Sequence, residues 1–195
     1  MSVNDQALAQ LFIEARTAYQ FQNKPVATEL LQRAYELASL APTSMNCLPA
    51  RFVFVQSASA KERLLATLNP GNVDKTRAAP VTVIVATDTR FYEHMPTLFP
   101  QRADAEQMFA GNAALASATA QRNGTLSGAY FILAARALGL DCGPMSGFDA
   151  AKLNAEFFPD GRWQVNFLIN LGYADRSQTQ PRNPRLGFEQ ACTLL

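Results

Sequence analysis

The chain has 195 residues, of which 48% are hydrophobic and 17% are charged, and its formal net charge is +1. This length favours a single domain over residues 1–195 and allows about 70% of the extended chain's surface to be buried on folding. The near-neutral charge provides no global field that would attract nucleic acid or anionic lipid, so we expect neither as a partner.

Cysteine, histidine and the apolar runs restrict the class of protein further. Three widely spaced cysteines match no disulfide framework, and a single histidine, His94, excludes a multi-histidine metal site. The N-terminus has no basic region followed by an apolar stretch, and no apolar run is long enough to cross a bilayer. We therefore expect a cytoplasmic protein without a metal site.

Hydrophobic spacing predicts eight elements in one mixed layer structure. Apolar residues at helical spacing indicate helices, and short runs rich in β-branched residues indicate strands. In chain order these are a helix over 5–15, a helix from Thr28 to Pro42, a strand over 52–55, a helix over 60–68, a strand over 81–86, a helical tract over 104–138 broken near 111–112, a helix over 149–157 and a strand over 165–172. Helices dominate and the strands are isolated, which favours an α+β fold over a doubly wound one.

Local signals refine these elements. The run 52–55 is apolar on both parities, which predicts a strand covered on both faces rather than an edge strand. Ser59 and Glu62 form a capping-box pattern, and the cluster of asparagine, proline and glycine at 69–72 predicts a turn. The segment 91–100 is rich in proline and aromatic residues and is predicted to be an ordered insertion that packs on the body.

The tetrapeptide Arg16–Tyr19 follows the first predicted helix and is the first candidate site. The guanidinium of Arg16 can bind a phosphate through two hydrogen bonds, and the Thr17 hydroxyl can add a further donor. The alternative is that Arg16 only interacts with the negative end of the preceding helix dipole. The tetrapeptide alone leaves both interpretations open.

Two further segments could contact a flat ligand. The polar residues of Pro42–Asn46 could bind a pyrimidine-like ring or simply satisfy a turn. The glycines of Gly143–Asp149 allow close backbone approach to a ligand, but this segment could equally be a helix entry loop capped by Asp149. A fourth segment, Arg182–Arg185, is basic, and on its own it predicts only a solvated surface.

The common nucleotide and catalytic motifs are missing. No strand is followed by GxGxxG and no GxxxxGK[ST] occurs, so a Rossmann or P-loop enzyme is not expected. Cys47 has no accompanying histidine or metal motif, and His94 lies beside aromatic residues, which favours a packing or pocket role. The tract 129–137 predicts only a core helix.

Taken together and in this order, the four segments resemble the FMN-dependent nitroreductase family over nearly the whole chain. Six strings are similar to its RutE/HadB branch, whose members are described as malonic semialdehyde reductases of pyrimidine breakdown or as NAD(P)H nitroreductases. The strings are PTSMNCLPARFVF (42–54), GNVDKTRAAPV (71–81), FYEHMPTLFP (91–100), GPMSGFD (143–149), NFLINLGYAD (166–175) and PRLGFEQA (184–191).

The resemblance implies a fold, a cofactor and a reaction. The fold would be a nitroreductase-like α+β domain, with a mainly antiparallel sheet flanked by helices, in an intertwined homodimer with FMN at the subunit interface. NADH or NADPH would reduce FMN at N5, and a small acceptor would take the hydride in a ping-pong cycle. The expected acceptor is malonic semialdehyde, which would yield 3-hydroxypropionate; the alternatives are a broad nitro or quinone reductase and a flavin-binding dimer without turnover.

By motif position, the resemblance also assigns roles to fourteen residues. Arg16, Thr17 and Arg185 would hold the phosphate and ribityl chain, and Tyr19 would lie beside the flavin. Pro42, Thr43, Ser44 and Asn46 of the partner subunit, Asn72 or Lys75 near the pyrimidine end, and Pro144, Met145, Ser146 and Gly147 along the ring would complete the site.

Three positions depart from the family pattern. Tyr19 stands where many relatives carry lysine or arginine, Ser146 replaces an acidic residue and Ala50 replaces a tryptophan. These changes leave the expected fold unaffected, but they bear on the substrate class and on redox tuning.

An aldehyde acceptor would need further groups. The carboxylate of malonic semialdehyde requires a cation, for which Arg51 and Arg102 are candidates. The proton donor could be Tyr92, His94 or solvent.

Overall fold

Strand β2 (Val81–Asp88) forms the centre of the fold, and all eight of its residues are buried. In a computed structural model that describes residues 2–195, β2 lies between β1 (Ala50–Val55) and β4 (Trp163–Gly172), and β4 also pairs with β3 (Asp141–Met145). The strand order is therefore β1-β2-β4-β3, and every pairing is antiparallel. This sheet confirms the predicted α+β class.

Helices cover both faces of the sheet. They are α1 (Asp5–Leu8), which continues as a π-helical turn over Ala9–Ile13, α2 (Thr28–Ala38), α3 (Ala58–Leu65), α4 (Pro70–Ala78), α5 (Met95–Leu98), α6 (Ala105–Ala110), α7 (Ala113–Ala137), α8 (Ala150–Phe157) and α9 (Phe188–Ala191). Short 3₁₀ turns lie at Ser44–Asn46, Phe91–His94 and Arg176–Gln178. The predicted break near residues 111–112 is confirmed, since it separates α6 from α7.

Side-chain alternation along β2 divides the core into two layers. Val83 and Val85 pack in a cluster with α2 and the C-terminal half of α7, where Phe131 is fully buried. Ile84 and Ala86 point to the opposite face and pack with α3 and α8. The sheet is therefore the middle of three layers, and residues near its β3 edge are held by packing from both sides.

The insertion over residues 91–100 is ordered, as predicted. Phe91 and Met95 are buried in a separate cluster with Phe109 of α6, and the rings of Phe91 and Phe109 lie 5.0 Å apart, edge to face. The same cluster contains the buried Cys47. The insertion thus lies against the body of the domain.

Asp88, the last residue of β2, ties β1 to the segment before β4 just ahead of this insertion. Its side chain is 1% exposed and accepts hydrogen bonds from Arg51 at 2.7 Å and from Arg162 at 3.1 and 3.2 Å. Burial by itself raises the pKa of Asp88, but hydrogen bonds from Arg162 and the Arg90 N–H, with the charges of Arg51 and Arg162, outweigh it and hold the pKa below its usual range. The carboxylate is therefore ionised in the folded protein at neutral pH.

The prediction that strand 52–55 is covered on both faces and is not an edge strand is wrong in part. β1 lies at one edge of the sheet, and its first five residues are only half-buried. Phe52 and Phe54 pack toward α7, whereas Val53 packs toward α3 and α8. Contact with both layers explains why the strand is apolar on both parities although it has an unpaired edge.

Two helix boundaries differ from the predictions for local reasons. The first helical segment ends at Ile13 and not at residue 15. The second ends at Ala38 before the proline at 42, because the N–H groups of Leu40 and Ala41 bond carbonyls three residues back, which is a turn geometry.

Capping and turn signals were misplaced in the middle of the chain. Ser57 caps α3, accepting from the N–H of Ala60 at 3.2 Å, so the capping box at Ser59 is wrong. The predicted turn at 69–72 is instead the start of α4, and Pro70 lies in its first turn. Proline lacks a backbone N–H, but the first residues of a helix have no carbonyl partner for that group, so proline is tolerated there.

Residues 143–145 also lie in a strand and not in the predicted loop. Gly143 pairs with Asn170 and Pro144 with Ile169 at the open edge of the sheet. An edge strand tolerates proline because its outer side needs no hydrogen-bond donor. The remaining predicted elements are present: β2, α8 with Asp149 as its cap, and β4.

Candidate cofactor site

The segment after the first helix lies along strand β3. The Ala18 N–H donates to the Cys142 carbonyl at 2.9 Å, as an extra strand would. A Cβ atom on Gly143 would lie only 2.4 Å from the Ala18 carbonyl oxygen, so this close approach requires glycine. The contact fixes the position of Arg16 and Thr17 beside the sheet edge.

Four of the predicted residues line one cavity of about 580 Å³ beside this segment. They are Arg16, Thr17, Tyr19 and Arg185, and the cavity is also lined by Arg136 of α7 and by Arg182. No aspartate or glutamate lines it within residues 2–195. A cavity bordered by guanidinium groups and a hydroxyl suits an anion, above all a phosphate.

Arg16 also performs the helix-end role that its sequence left open. Its Nη1 donates to the carbonyl oxygens of Ile13 and Ala15, each at 2.9 Å. The two interpretations are therefore compatible in this structure, because the same guanidinium caps the helical segment and faces the cavity.

Helix α4 is tied to the turn after β3. The Asn72 Nδ2 donates to the Gly147 carbonyl at 2.7 Å, and the Asn69 N–H donates to the same oxygen at 3.1 Å. A Cβ atom on Gly147 would lie 2.5 Å from Asn72 Nδ2, so the turn passes α4 at a distance that only glycine permits. The structure thus brings Asn72 and Gly147 together, with Pro144 and Ser146 exposed beside them.

Lys75 links α4 to the segment that carries Arg16. Its Nζ lies 5.3 Å from the centroid of the Tyr19 ring, which is cation–π distance. Burial lowers the pKa of Lys75. The ammonium group of Lys75 therefore lies beside the Tyr19 ring.

A buried polar network behind the site was missed by the sequence analysis. Asn170 of β4 is fully buried, accepts from the Thr82 hydroxyl at 2.9 Å and donates to the Thr76 Oγ1 at 3.0 Å. The Thr76 hydroxyl also lies 3.7 Å from the sulfur of Met145. The network joins α4 to the sheet. The signal that could have revealed it is an asparagine between Ile169 and Leu171, in the fully buried half of β4.

The turn Pro42–Asn46 lies apart from the other predicted residues within one chain. None of it lines the Arg16 cavity. The Ser44 N–H donates to Asn123 Oδ1 at 2.8 Å, and the Asn46 Nδ2 donates to the Leu98 carbonyl at 2.9 Å. Pro42, Ser44 and Asn46 are exposed, whereas Thr43 is half-buried and accepts a hydrogen bond at Oγ1 from the Leu48 N–H. Two of the residues have left-handed backbones, Met45 at φ 53° and Asn46 at φ 50°.

The candidate acceptor groups lie at other cavities. Arg51 and His94 line a cavity of about 300 Å³ together with the rings of Tyr35 and Phe52. Tyr92 lines a different cavity, of about 450 Å³. Arg102 is exposed and forms an ion pair with Asp104.

Cys47 does not have the character of a nucleophile. It is fully buried, and burial raises the pKa of its thiol to about 11. The thiolate, which is the nucleophilic form, is therefore scarce at neutral pH.

Comparison of the sequence with protein-family models identifies the family of this chain. The model of the Nitroreductase family matches residues 13–173, which include segment 16–19, turn 42–46, α4 and the turn after β3. The chain belongs to the Nitroreductase family. Proteins of this family are oxidoreductases that use FMN with NAD(P)H, so the predicted class of enzyme and cofactor is confirmed.

Bacterial relatives match over almost their full length. A "Putative NADH dehydrogenase/NAD(P)H nitroreductase" of Polynucleobacter asymbioticus is 58% identical over 193 residues, covering 99% of this chain and 98% of the relative. A protein of Ralstonia nicotianae with the same description is 57% identical over 188 residues and 96% of each chain. Both descriptions include an NAD(P)H nitroreductase, which agrees with the Nitroreductase family.

Solved structures share the fold at low sequence identity. A putative nitroreductase of Exiguobacterium sibiricum, crystallised with FMN, superposes with a TM-score of 0.87 at 20% identity, covering 100% of this chain and 99% of that one. A structure described as the putative nitroreductase YdfN of Bacillus subtilis gives a TM-score of 0.89 at 23% identity, covering 98% of this chain and 100% of that one. The nitroreductase-like fold is thus confirmed. Among residues 2–195, no helix combines the length and apolarity needed to span a membrane.

Proposed function

We propose that this chain is an FMN-dependent NAD(P)H oxidoreductase in which residues 1–195 form one FMN-binding domain and Arg16, Thr17 and Arg185 hold the phosphate. The cavity of about 580 Å³ that these residues line, without a carboxylate among its residues in the described chain, carries this proposal. The close contact of Ala18 with Gly143 supports it further, because it holds the segment that carries Arg16 and Thr17 against β3, the strand that leads to Ser146 and Gly147. The residues that line the cavity therefore fit the phosphate end of a flavin mononucleotide.

The end of β3 and the turn that follows it are the proposed neighbours of the flavin ring. Pro144, Met145, Ser146 and Gly147 line the ring, and Asn72 holds the turn through its hydrogen bond to the Gly147 carbonyl. Bound FMN supplies hydride transfer between a nicotinamide and an acceptor. Lys75 supplies positive charge near the pyrimidine end, in place of the basic residue that many relatives have at the position of Tyr19.

A homodimer completes the site in this proposal. Pro42, Thr43, Ser44 and Asn46 of the partner subunit contribute the missing polar edge. Exposed apolar side chains that are neighbours on one element support an interface between two copies, since contiguous apolar patches mark interaction sites. Examples are Leu126 and Tyr130 on α7, Phe12 and Ile13 after α1, and Leu186 and Phe188 in the C-terminal segment.

The proposed acceptor is malonic semialdehyde or a related small aldehyde with a carboxylate. The similarity to the RutE/HadB branch supports this choice, and so does the cavity of about 300 Å³ that Arg51 and His94 line. In this proposal Arg51 supplies the cation for the carboxylate while it keeps its ion pair with Asp88. A second candidate, a broad nitro or quinone reductase, is supported by the names of the relatives.

Cofactor reduction is the first test. Purified protein is mixed with FMN, freed of excess flavin, and titrated with NADH and NADPH under anaerobic conditions. Flavin absorbance that is retained and then bleached supports the proposal. A preparation that retains no flavin refutes it, and flavin that neither nucleotide bleaches identifies a binding protein without turnover.

The acceptor is tested by comparing kcat/KM for malonic semialdehyde, an uncharged aldehyde, a nitroaromatic and a quinone. Arg51→Gln should raise KM for malonic semialdehyde but not for the uncharged aldehyde. Arg102→Gln, which removes an exposed arginine away from this cavity, is the matched control. A higher kcat/KM for the nitroaromatic or quinone favours the second candidate.

A further inference from the structure

Four arginine side chains line the cavity at segment 16–19, two more than the resemblance assigns to a flavin phosphate. Besides Arg16 and Arg185, the cavity is lined by Arg136 from the last turn of α7 and by Arg182 from the C-terminal segment. None of the four forms an ion pair in the described part of the chain. The cavity therefore gathers four guanidinium groups, and no carboxylate of the described residues lies within ion-pair distance of any of them.

Two of these guanidinium groups share their hydrogen-bond acceptors. Arg16 Nη1 donates to the carbonyl oxygens of Ile13 and Ala15, each at 2.9 Å. Arg182 Nη2 donates to the same two oxygens, at 3.0 and 2.9 Å. Two like charges that share acceptors repel each other, and an anion beside both would remove that repulsion.

Arg136 provides an independent observation. Its Nη1 donates to the Leu11 carbonyl at 3.1 Å, whereas its Nε is the one buried side-chain polar atom without a hydrogen-bond partner among residues 2–195. A buried donor without a partner is unfavourable, so Arg136 has an unmet hydrogen-bonding capacity in a side chain that also lines the cavity. Burial, followed by the charges of Arg16, Arg185 and Arg136, also lowers the pKa of Arg182, which agrees with a closely spaced cationic group.

We propose that Arg136 and Arg182 are phosphate-binding residues that complete a four-arginine site for the phosphate monoester of the flavin. This inference rests on the proposed function. Guanidinium groups bind phosphate through paired, charge-assisted hydrogen bonds. Four of them around one dianion make the phosphate the main determinant of cofactor choice, so that FMN is selected strongly over riboflavin.

The first test uses the flavin-free protein and inorganic phosphate, with binding measured by isothermal titration calorimetry. Arg136→Gln and Arg182→Gln should each weaken phosphate binding by about tenfold or more, as expected for losing a hydrogen bond to a charged group. Arg33→Gln is the matched control, because Arg33 pairs with Glu36 on exposed α2 and should leave the affinity unchanged. Unchanged phosphate affinity in both cavity variants overturns the inference, as does a wild-type protein that binds no phosphate.

The second test separates phosphate binding from a purely structural role. The ratio of FMN to riboflavin affinity should fall by about tenfold in each glutamine variant, and the lysine variants should recover part of it. If the arginines only held the carbonyls of the first helix, the variants would melt earlier and lose both flavins equally, which overturns the inference. A wild-type protein that binds neither flavin refutes the proposed function, whereas an unchanged ratio in the variants refutes this inference alone.

Discussion

Gly143→Ala should displace the segment that carries Arg16 and Thr17. The added Cβ would lie 2.4 Å from the Ala18 carbonyl oxygen, whereas an ordinary contact begins near 3.4 Å, so the two backbones must separate by about 1 Å. The Ala18–Cys142 hydrogen bond, now 2.9 Å, would then approach 3.9 Å and be lost. Overpacking and the lost bond together should destabilise the protein by about 2–4 kcal/mol.

The assay combines urea unfolding with titration of FMN. We expect the FMN dissociation constant to rise by about tenfold or more, because Arg16 and Thr17 move with Ala18. The control is Gly71→Ala in α4, where an added Cβ has no atom within 4 Å. This change should stabilise the fold by about 0.4–1 kcal/mol and leave FMN affinity unchanged. A Gly143→Ala protein with normal stability and normal FMN affinity would refute the proposed coupling between β3 and segment 16–19.

Three further changes test other parts of the structure. Asp88→Asn should cost about 3 kcal/mol, because the half-buried Arg51 loses its carboxylate partner and Arg162 keeps only Glu93. Because folding lowers the pKa of Asp88, the contribution of its carboxylate to the unfolding free energy is present above about pH 4 and is lost as the pH falls through the folded pKa. The urea midpoint of the variant should therefore decline less steeply with acid than that of the wild type. An equally steep decline would contradict this. Ser57→Ala should lower the unfolding free energy by about 1 kcal/mol and Ser59→Ala by less than about 0.5 kcal/mol, and equal losses would contradict Ser57 as the cap. Tyr19→Leu should cost about 0.5–1 kcal/mol in urea unfolding by removing the ring beside Lys75, whereas Tyr19→Phe should be neutral; equal costs would show that the ring is not the important feature.

The sequence predicted those elements whose signal is local and strong. Strand β2 was found because its β-branched run is continuous, and the break between α6 and α7 was found because glycine and asparagine interrupt the helical spacing. Helix α4 was not predicted, because its proline and glycine are typical of a turn. Proline is equally suited to the first turn of a helix, which is where Pro70 lies. Strand β3 was missed for a similar reason, since the sheet edge tolerates Gly143 and Pro144.

The candidate site was predictable only where a motif marks it. Arg16, Thr17 and Arg185 lie in recognisable segments and meet at one cavity. Arg136 lies in a tract that predicts only core helix, and nothing local indicates that its Nε is buried without a partner. Its importance arises from the tertiary approach of α7 to the first helix, which periodicity in one helix does not encode.

A crystal structure of the protein grown with FMN is the most direct test of the proposed cofactor site. We predict the flavin phosphate within hydrogen-bond distance of Arg16 and Arg185, the ring against residues 144–147, and the turn 42–46 of a second subunit at its edge. A flavin bound elsewhere, with the arginine-lined cavity empty, would contradict the proposed site.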